Sequence, residues 1–270
     1  MLESLSSKLS KYLSPQVYTS IFSGEQNVEI ASKRKKLTVM FSDIAGFTAT
    51  ADRLESEELT DLLNNYLTEM SAIALSHGAT IDKYIGDAIM LFFGDPESKG
   101  EKEDAVQCVK MAIEMQGKMR ELQNEWADRG MENPFQLRIG INTGYCTVGN
   151  FGSDDRMDYT IIGNEVNLAA RLQTNAGLGE ILIAHETWSL VKDDVVAREQ
   201  PDLQVKGFSK PVKNYRVLVD SDKSTDCKNL ITINERGIRI SLDVSKLTSE
   251  DKADAVETIT RVLKALDDHG

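Results

Sequence analysis

Cysteine is scarce in this chain, and its spacing excludes two kinds of structural support. Among 270 residues only Cys108, Cys146 and Cys227 occur, far apart and without a CxxC pair, so neither a zinc site nor a disulfide framework is indicated and a reducing cytoplasm fits. Histidine is equally thin: His77, His185 and His269 stand alone and suggest no metal centre. Positive charge is in deficit, with 31 Lys and Arg against 43 Asp and Glu and a net charge of −12, and this argues against a nucleic-acid or anionic-membrane partner, which needs a basic face. The basic run Lys33 to Lys36 reads as a solvated join rather than a binding patch. There is no long apolar run and no signal-peptide pattern, so no direct membrane segment is expected.

What is present suits an enzyme domain with one substantial core, given 41% hydrophobic residues. Glu55 to His77 carries Leu59, Leu62, Leu63, Tyr66, Leu67, Met70 and Ile73 at helical spacing and ends at Gly78, which suits a C′ position. Ala79 to Tyr84 and Ala88 to Phe93 read as strands flanking the tip Ile85-Gly86-Asp87. A second helix is predicted over Glu103 to Ala127, its Met residues and Trp126 serving as core contacts, and Trp188 is also read as packing. A strand Phe135 to Asn142 follows, and Gly144 and Gly149 predict a hairpin through Tyr145 to Phe151. The order strand, helix, strand, strand, helix, strand implies an α+β fold with helices against an antiparallel-rich sheet.

The chain ends read as appendages. Residues 1–35 form a helical connector, with Leu5, Leu9, Leu13, Val17 and Ile21 at four-residue spacing and a break at Pro15. Residues 36–220 are the main domain, and 221–270 a linker followed by a ββα extension: Ile231 and Ile233, then Ile238, Ile240 and Leu242, then a helical pattern from Ala253 to Leu266.

Two aspartates carry the chemistry. Leu37, Val39 and Phe41 alternate with Thr38 and Met40, so Asp43 falls where a strand ends and the turn Ala45-Gly46-Phe47-Thr48 begins; Asp87 sits at the hairpin tip. Taken singly, Asp43 also reads as a helix N-cap and Asp87 as a turn residue. Together, beside a helix start whose N–H groups are free, they suggest a metal–phosphate site, because magnesium is held by one or two carboxylates plus substrate phosphates.

In these contexts the chain resembles the class III nucleotidyl cyclases over about Lys36 to Val219, in a bacterial and soluble-type adenylyl subgroup. The stretch from Asp158 to Leu172 carries the resemblance further, since Asn167 and Arg171 share one helix face. The resemblance implies a ferredoxin-like cyclase core and an adenylate cyclase making cyclic AMP and pyrophosphate from ATP. It implies that Asp43, Asp87 and the Ile44 carbonyl hold two Mg²⁺ or Mn²⁺ ions per site, and that Asn167 orients the ribose while Arg171 stabilises the transition state. It also implies that Lys83 and Thr160 read the base, that Lys206 reaches the β- and γ-phosphates, and that Phe47 and Thr48 lie in the substrate-binding turn. The resemblance further implies that the site is shared across a homodimer and that a sensory domain lies upstream. Lys83 can donate to adenine N1 and Thr160 can accept from the 6-amino group, which favours ATP, although a hydroxyl can also donate. A guanylate cyclase and a nucleotide-binding regulatory module without turnover remain the alternatives.

Overall fold

The computed structural model describes residues 14–24, 30–51, 54–129, 131, 134–153, 155–205, 207–208, 210–219, 230–235 and 238–243, with the side chains of residue 49 and of 230–243 left aside. The chain divides into two compact units, Met1–Val217 and Leu218–Gly270. In the first, α1 (Pro15–Phe22) precedes β1 (Ser32–Ile44), α2 (Phe47–Ala51), α3 (Ser56–Ser76), β2 (Thr80–Ile85), β3 (Ala88–Phe93) and α4 (Glu101–Asp128). Then come β4 (Leu137–Ser153), β5 (Arg156–Ile162), α5 (Asn164–Asn175), β6 (Ile181–Ala184), α6 (His185–Val191), β7 (Ala197–Leu203) and β8 (Val212–Val217). The eight strands form one sheet in the order β2-β3-β1-β4-β6-β8-β7, with β5 also paired to β4. Every pairing is antiparallel except β4 with β6. This is the expected α+β, antiparallel-rich architecture.

The two faces of β1 explain where the core sits. Leu37 and Val39 pack with Cys146, Val148, Val166 and Ala169, which places α5 on that face. On the other face the Thr38 and Thr143 hydroxyls lie 2.9 Å apart, and Thr143 is 3.1 Å from Thr187 of α6; α4 packs against α6 and α3 against α4. Leu37 through Met40 are therefore all buried, so the polar partner in the alternation is not solvent-facing but hydrogen-bonded within the core. Helix α3 ends as expected at Gly78: its φ is +84°, its N–H donates to the Leu75 carbonyl at 3.0 Å, and the Ala79 N–H donates to Ala74 at 3.0 Å. Trp126 is buried edge-on to Phe135, and Trp188 stacks on Tyr215 with centroids 4.4 Å apart.

Two expectations are corrected. The basic run is strand rather than join, since β1 begins at Ser32; Lys33 and Lys35 both pair with the buried Asp95, at 2.8 and 3.0 Å. The hairpin expected between Gly144 and Gly149 does not form, and β4 continues unbroken to Ser153. Those glycines answer to close approach instead: a Cβ at Gly144 would lie 2.6 Å from the Glu165 side chain, and one at Gly149 would lie 2.1 Å from the Ala31 carbonyl oxygen. In the second unit β9 (Leu230–Glu235) pairs antiparallel with β10 (Ile238–Asp243), and the helix predicted from Ala253 lies outside the described residues.

Candidate active site

Asp43 stands one residue before the end of β1, on the face covered by α5. The β2–β3 hairpin lies beside β1, so its two-residue turn Gly86-Asp87 overhangs that strand end; Gly86 takes the positive φ of +66° that a tight turn demands. Asp87 Oδ2 accepts a hydrogen bond from the Ile44 N–H at 3.0 Å, which fastens the turn to β1 and sets the two carboxylates side by side. Burial raises the Asp87 pKa to about 6, helped by hydrogen bonding to Asp43 and by its charge. On the other side, Asp43 Oδ2 accepts from Arg138 Nη2 at 2.6 Å and from Gln173 Nε2 at 3.0 Å. Below lies the fully buried Tyr66 of α3, whose phenol burial holds in its neutral form next to Ser42.

Two adjacent carboxylates in half-buried surroundings, one of them reluctant to ionise, form a donor set that a divalent cation would relieve. Among the described residues no three His, Cys, Asp or Glu side chains converge, so the protein supplies too few ligands for a closed cage. That is the pattern of a hard cation completed by water and phosphate.

A second cluster gathers on β2 and β5. Thr160 donates its hydroxyl hydrogen to Asp82 Oδ2 at 2.7 Å, and the Ile161 N–H donates to the same oxygen at 3.3 Å. The neighbouring Lys83 Nζ lies 3.4 Å from Asp82 Oδ1, so Lys83 and Thr160 meet through one carboxylate whose side chain is 0% exposed. Burial raises the Asp82 pKa, and Thr160, Lys83 and Ile161 pull against it.

Helix α5 presents Asn167 and Arg171 on one exposed face while Val166, Leu168, Ala169 and Leu172 are buried. Among the described residues the Arg171 guanidinium makes no ion pair, whereas Gln173, two positions on, turns inward to Asp43. Phe47 in α2 packs its ring against Phe135 with centroids 5.7 Å apart, and Thr48 is exposed. Lys206 lies outside the described residues. Sequence reasoning missed Arg138, Gln173 and Asp82. The one available signal is Arg138 itself, a charge inside the apolar run Leu137 to Ile141, where it falls in register with Asp43.

This geometry has close parallels. The solved adenylyl cyclase CyaB from P. aeruginosa is 58% identical with a TM-score of 0.69, covering 70% of this chain and 96% of that one. The guanylyl cyclase Cya2 is 35% identical with a TM-score of 0.67, covering 70% and 95%. The terminal-differentiation-specific adenylate cyclase of Dictyostelium discoideum is 33% identical over 80% of this chain but only 10% of its own length, and mycobacterial adenylate cyclases are likewise matched over 39% of theirs. The family described as the adenylate and guanylate cyclase catalytic domain matches residues 30–219, the span that holds both clusters, and the chain belongs to that class III family.

Proposed function

We propose that this chain is the catalytic part of an adenylate cyclase, converting ATP to 3′,5′-cyclic AMP and pyrophosphate. The observation that carries this reading is the pair Asp43 and Asp87, drawn together by the bond from Ile44 N–H, with Arg138 pairing Asp43 alone while Asp87 faces a second carboxylate. Asp43, Asp87 and the Ile44 carbonyl would hold two Mg²⁺ or Mn²⁺ ions. Such ions, when bound, acidify the ribose 3′ hydroxyl and neutralise phosphate oxygens.

The rest falls to the side chains. The 3′ oxygen bonds to the α-phosphorus in line with the departing pyrophosphate, the bond from that phosphorus to the bridging oxygen breaks, and the hydroxyl proton leaves to water. Arg171 holds charge on the phosphoryl oxygens with a planar, permanently charged guanidinium. Asn167 orients the ribose, Lys206 takes the β- and γ-phosphates, and Phe47 and Thr48 border the substrate. Lys83 donates to adenine N1 and Thr160 accepts from the 6-amino group. These groups act across a homodimer, the aspartates of one protomer facing Lys83, Thr160, Asn167, Arg171 and Lys206 of its partner. In support, Arg171 faces outward, and the large apolar residues Tyr84, Ile85 and Ile162 are exposed right beside Lys83 and Thr160. A cytoplasmic setting under an upstream sensory domain completes the proposal. Among the described residues, no helix is long and apolar enough to cross a membrane.

Assaying ATP and GTP side by side, with Mg²⁺ and with Mn²⁺, tests the reading. Cyclic AMP as the main product is expected; predominant cyclic GMP would make the chain a guanylate cyclase, and no cyclic product with either metal would leave a binding module.

A further inference from the structure

The Thr160 hydroxyl presents a difficulty that the adenine reading leaves open. A free hydroxyl donates as readily as it accepts, so it should greet the 6-amino group of adenine and the 6-oxo group of guanine alike. The surroundings of Asp82 remove that freedom. Lys83 and the Ile161 N–H, which approach the two carboxylate oxygens at 3.4 and 3.3 Å, can only donate. Oδ2 is committed as an acceptor by the Ile161 N–H, and the buried Oδ1 faces the Lys83 ammonium as an ion pair without a hydrogen bond of its own, so the Thr160 hydrogen, with its oxygen 2.7 Å from Oδ2, points at Asp82. Only lone pairs are left for a ligand.

Backbone geometry is arranged to put Asp82 there. The β2–β3 pairing runs Ile81↔Leu91 and then Lys83↔Met90, so Asp82 is the extra residue of a β-bulge. Bulges of this kind re-aim a side chain that regular alternation would send elsewhere. Asp82 spans 78 residues of sequence to reach β5, and its side chain is wholly buried.

We propose that Asp82 is a positioning residue for base selection: by accepting the hydrogen bond of the Thr160 hydroxyl it makes Thr160 an obligate acceptor, which welcomes a 6-amino purine and repels a 6-oxo purine. The inference rests on the reading that Lys83 and Thr160 meet the base. Selectivity then arises partly from a built-in mismatch against the wrong base, not only from contacts to the right one.

The test compares ATP with ITP, which differs from GTP in lacking the 2-amino group, so that position 6 is probed without it. The ratio of kcat/KM for ITP over ATP is measured on full-length dimers in Mg²⁺, with Kd by calorimetry where turnover is lost. Comparing ratios within each variant cancels a general loss of activity. Thr160→Val should raise the ratio, and an unchanged ratio there would sink the base reading itself. Asp82→Leu should raise the ratio about tenfold, the scale of one mismatched buried hydrogen bond, and should add nothing further in a Thr160→Val background. Asp82→Asn keeps an acceptor oxygen for Thr160 and Ile161 and should stay within about twofold of wild type. The positioning role is overturned, with the base reading intact, if Thr160→Val responds but Asp82→Leu does not, or if Asp82→Leu acts equally without the Thr160 hydroxyl. Should Asp82→Leu fail to fold, Asp82→Ala takes its place. An Asp82→Asn ratio as high as that of Thr160→Val overturns the proposal by itself.

Discussion

Asp82 and Asp87 stand on the same β-hairpin, and burial pushes the pKa of both upward, yet their company differs. Around Asp82 the protein supplies donors: a hydroxyl, an ammonium and a backbone N–H. Around Asp87 it supplies two backbone N–H groups, of Ile44 and of Asp87 itself, and a second carboxylate. A buried charge is stable only when paired and hydrogen-bonded. Asp82 has only donors around it, all from within the chain, which suits the positioning role proposed for it. Asp87 has no cationic partner among these, which the proposed metal ion would supply. The charge of the neighbours, more than burial or residue type, separates the carboxylate proposed to position from the one proposed to bind a cation.

The sharpest way to break this comparison is to delete the carboxylate pair. Asp43→Ala or Asp87→Ala should lower turnover by about 10³-fold or more while leaving a folded dimer, because each removes a proposed cation ligand at a strand end or turn. Asp43 also anchors Arg138 and Gln173, so Asp43→Asn is the gentler probe of charge alone. Cyclic product formation by purified, dimeric variants decides it, and substantial residual activity would reject the assignment. Mixing Asp43→Ala chains with Arg171→Ala chains sharpens the same point: a shared site recovers activity in the heterodimer, and a self-contained one does not.

A smaller effect is expected at the Asp82 cluster, where the outcome is a change of preference. Lys83→Glu with Thr160→Cys replaces the donor to N1 by an acceptor for guanine N1–H and N2–H. A buried hydrogen-bond mismatch costs roughly 1–3 kcal/mol, so the GTP-to-ATP ratio of kcat/KM should rise about tenfold or more. A ratio fixed at the wild-type value in a folded dimer would separate Lys83 and Thr160 from base recognition.

Much of this is legible in the amino-acid sequence alone. Helices α3 and α4 announce themselves by period, and the Gly86-Asp87 turn by its flanking strands, because those signals are local. The aspartates are legible for the same reason, each sitting where a regular element stops. What stays hidden is long-range. Arg138 and Gln173 reach Asp43 across 95 and 130 residues, and Thr160 reaches Asp82 across 78. The glycines of β4 mislead because a turn and a close approach call for the same residue; only the position of Glu165 and Ala31 tells them apart.

The smallest predicted effect concerns stability and pH. Asp87 has its pKa raised to about 6 in the folded protein, above the ordinary carboxylate value of 3.8. Between those values the folded state binds more protons than the unfolded one, so the group's contribution is fully present below about pH 4 and is lost as pH rises through about 6. Asp87→Asn mimics the protonated acid at every pH. In metal-free protein the variant should therefore match wild type near pH 4 and exceed it at pH 7 to 8 by about 2–4 °C in Tm, a modest figure because the group is partly solvated. Added Mn²⁺ should then raise the wild-type Tm and leave that of Asp87→Asn nearly unmoved, since a ligand that binds only the native state stabilises it. Thermal unfolding across pH with chelator and with Mn²⁺ measures both. If Asp87→Asn is less stable than wild type at pH 7 without metal, the two carboxylates are not in the strained proximity that sets this pair apart from Asp82.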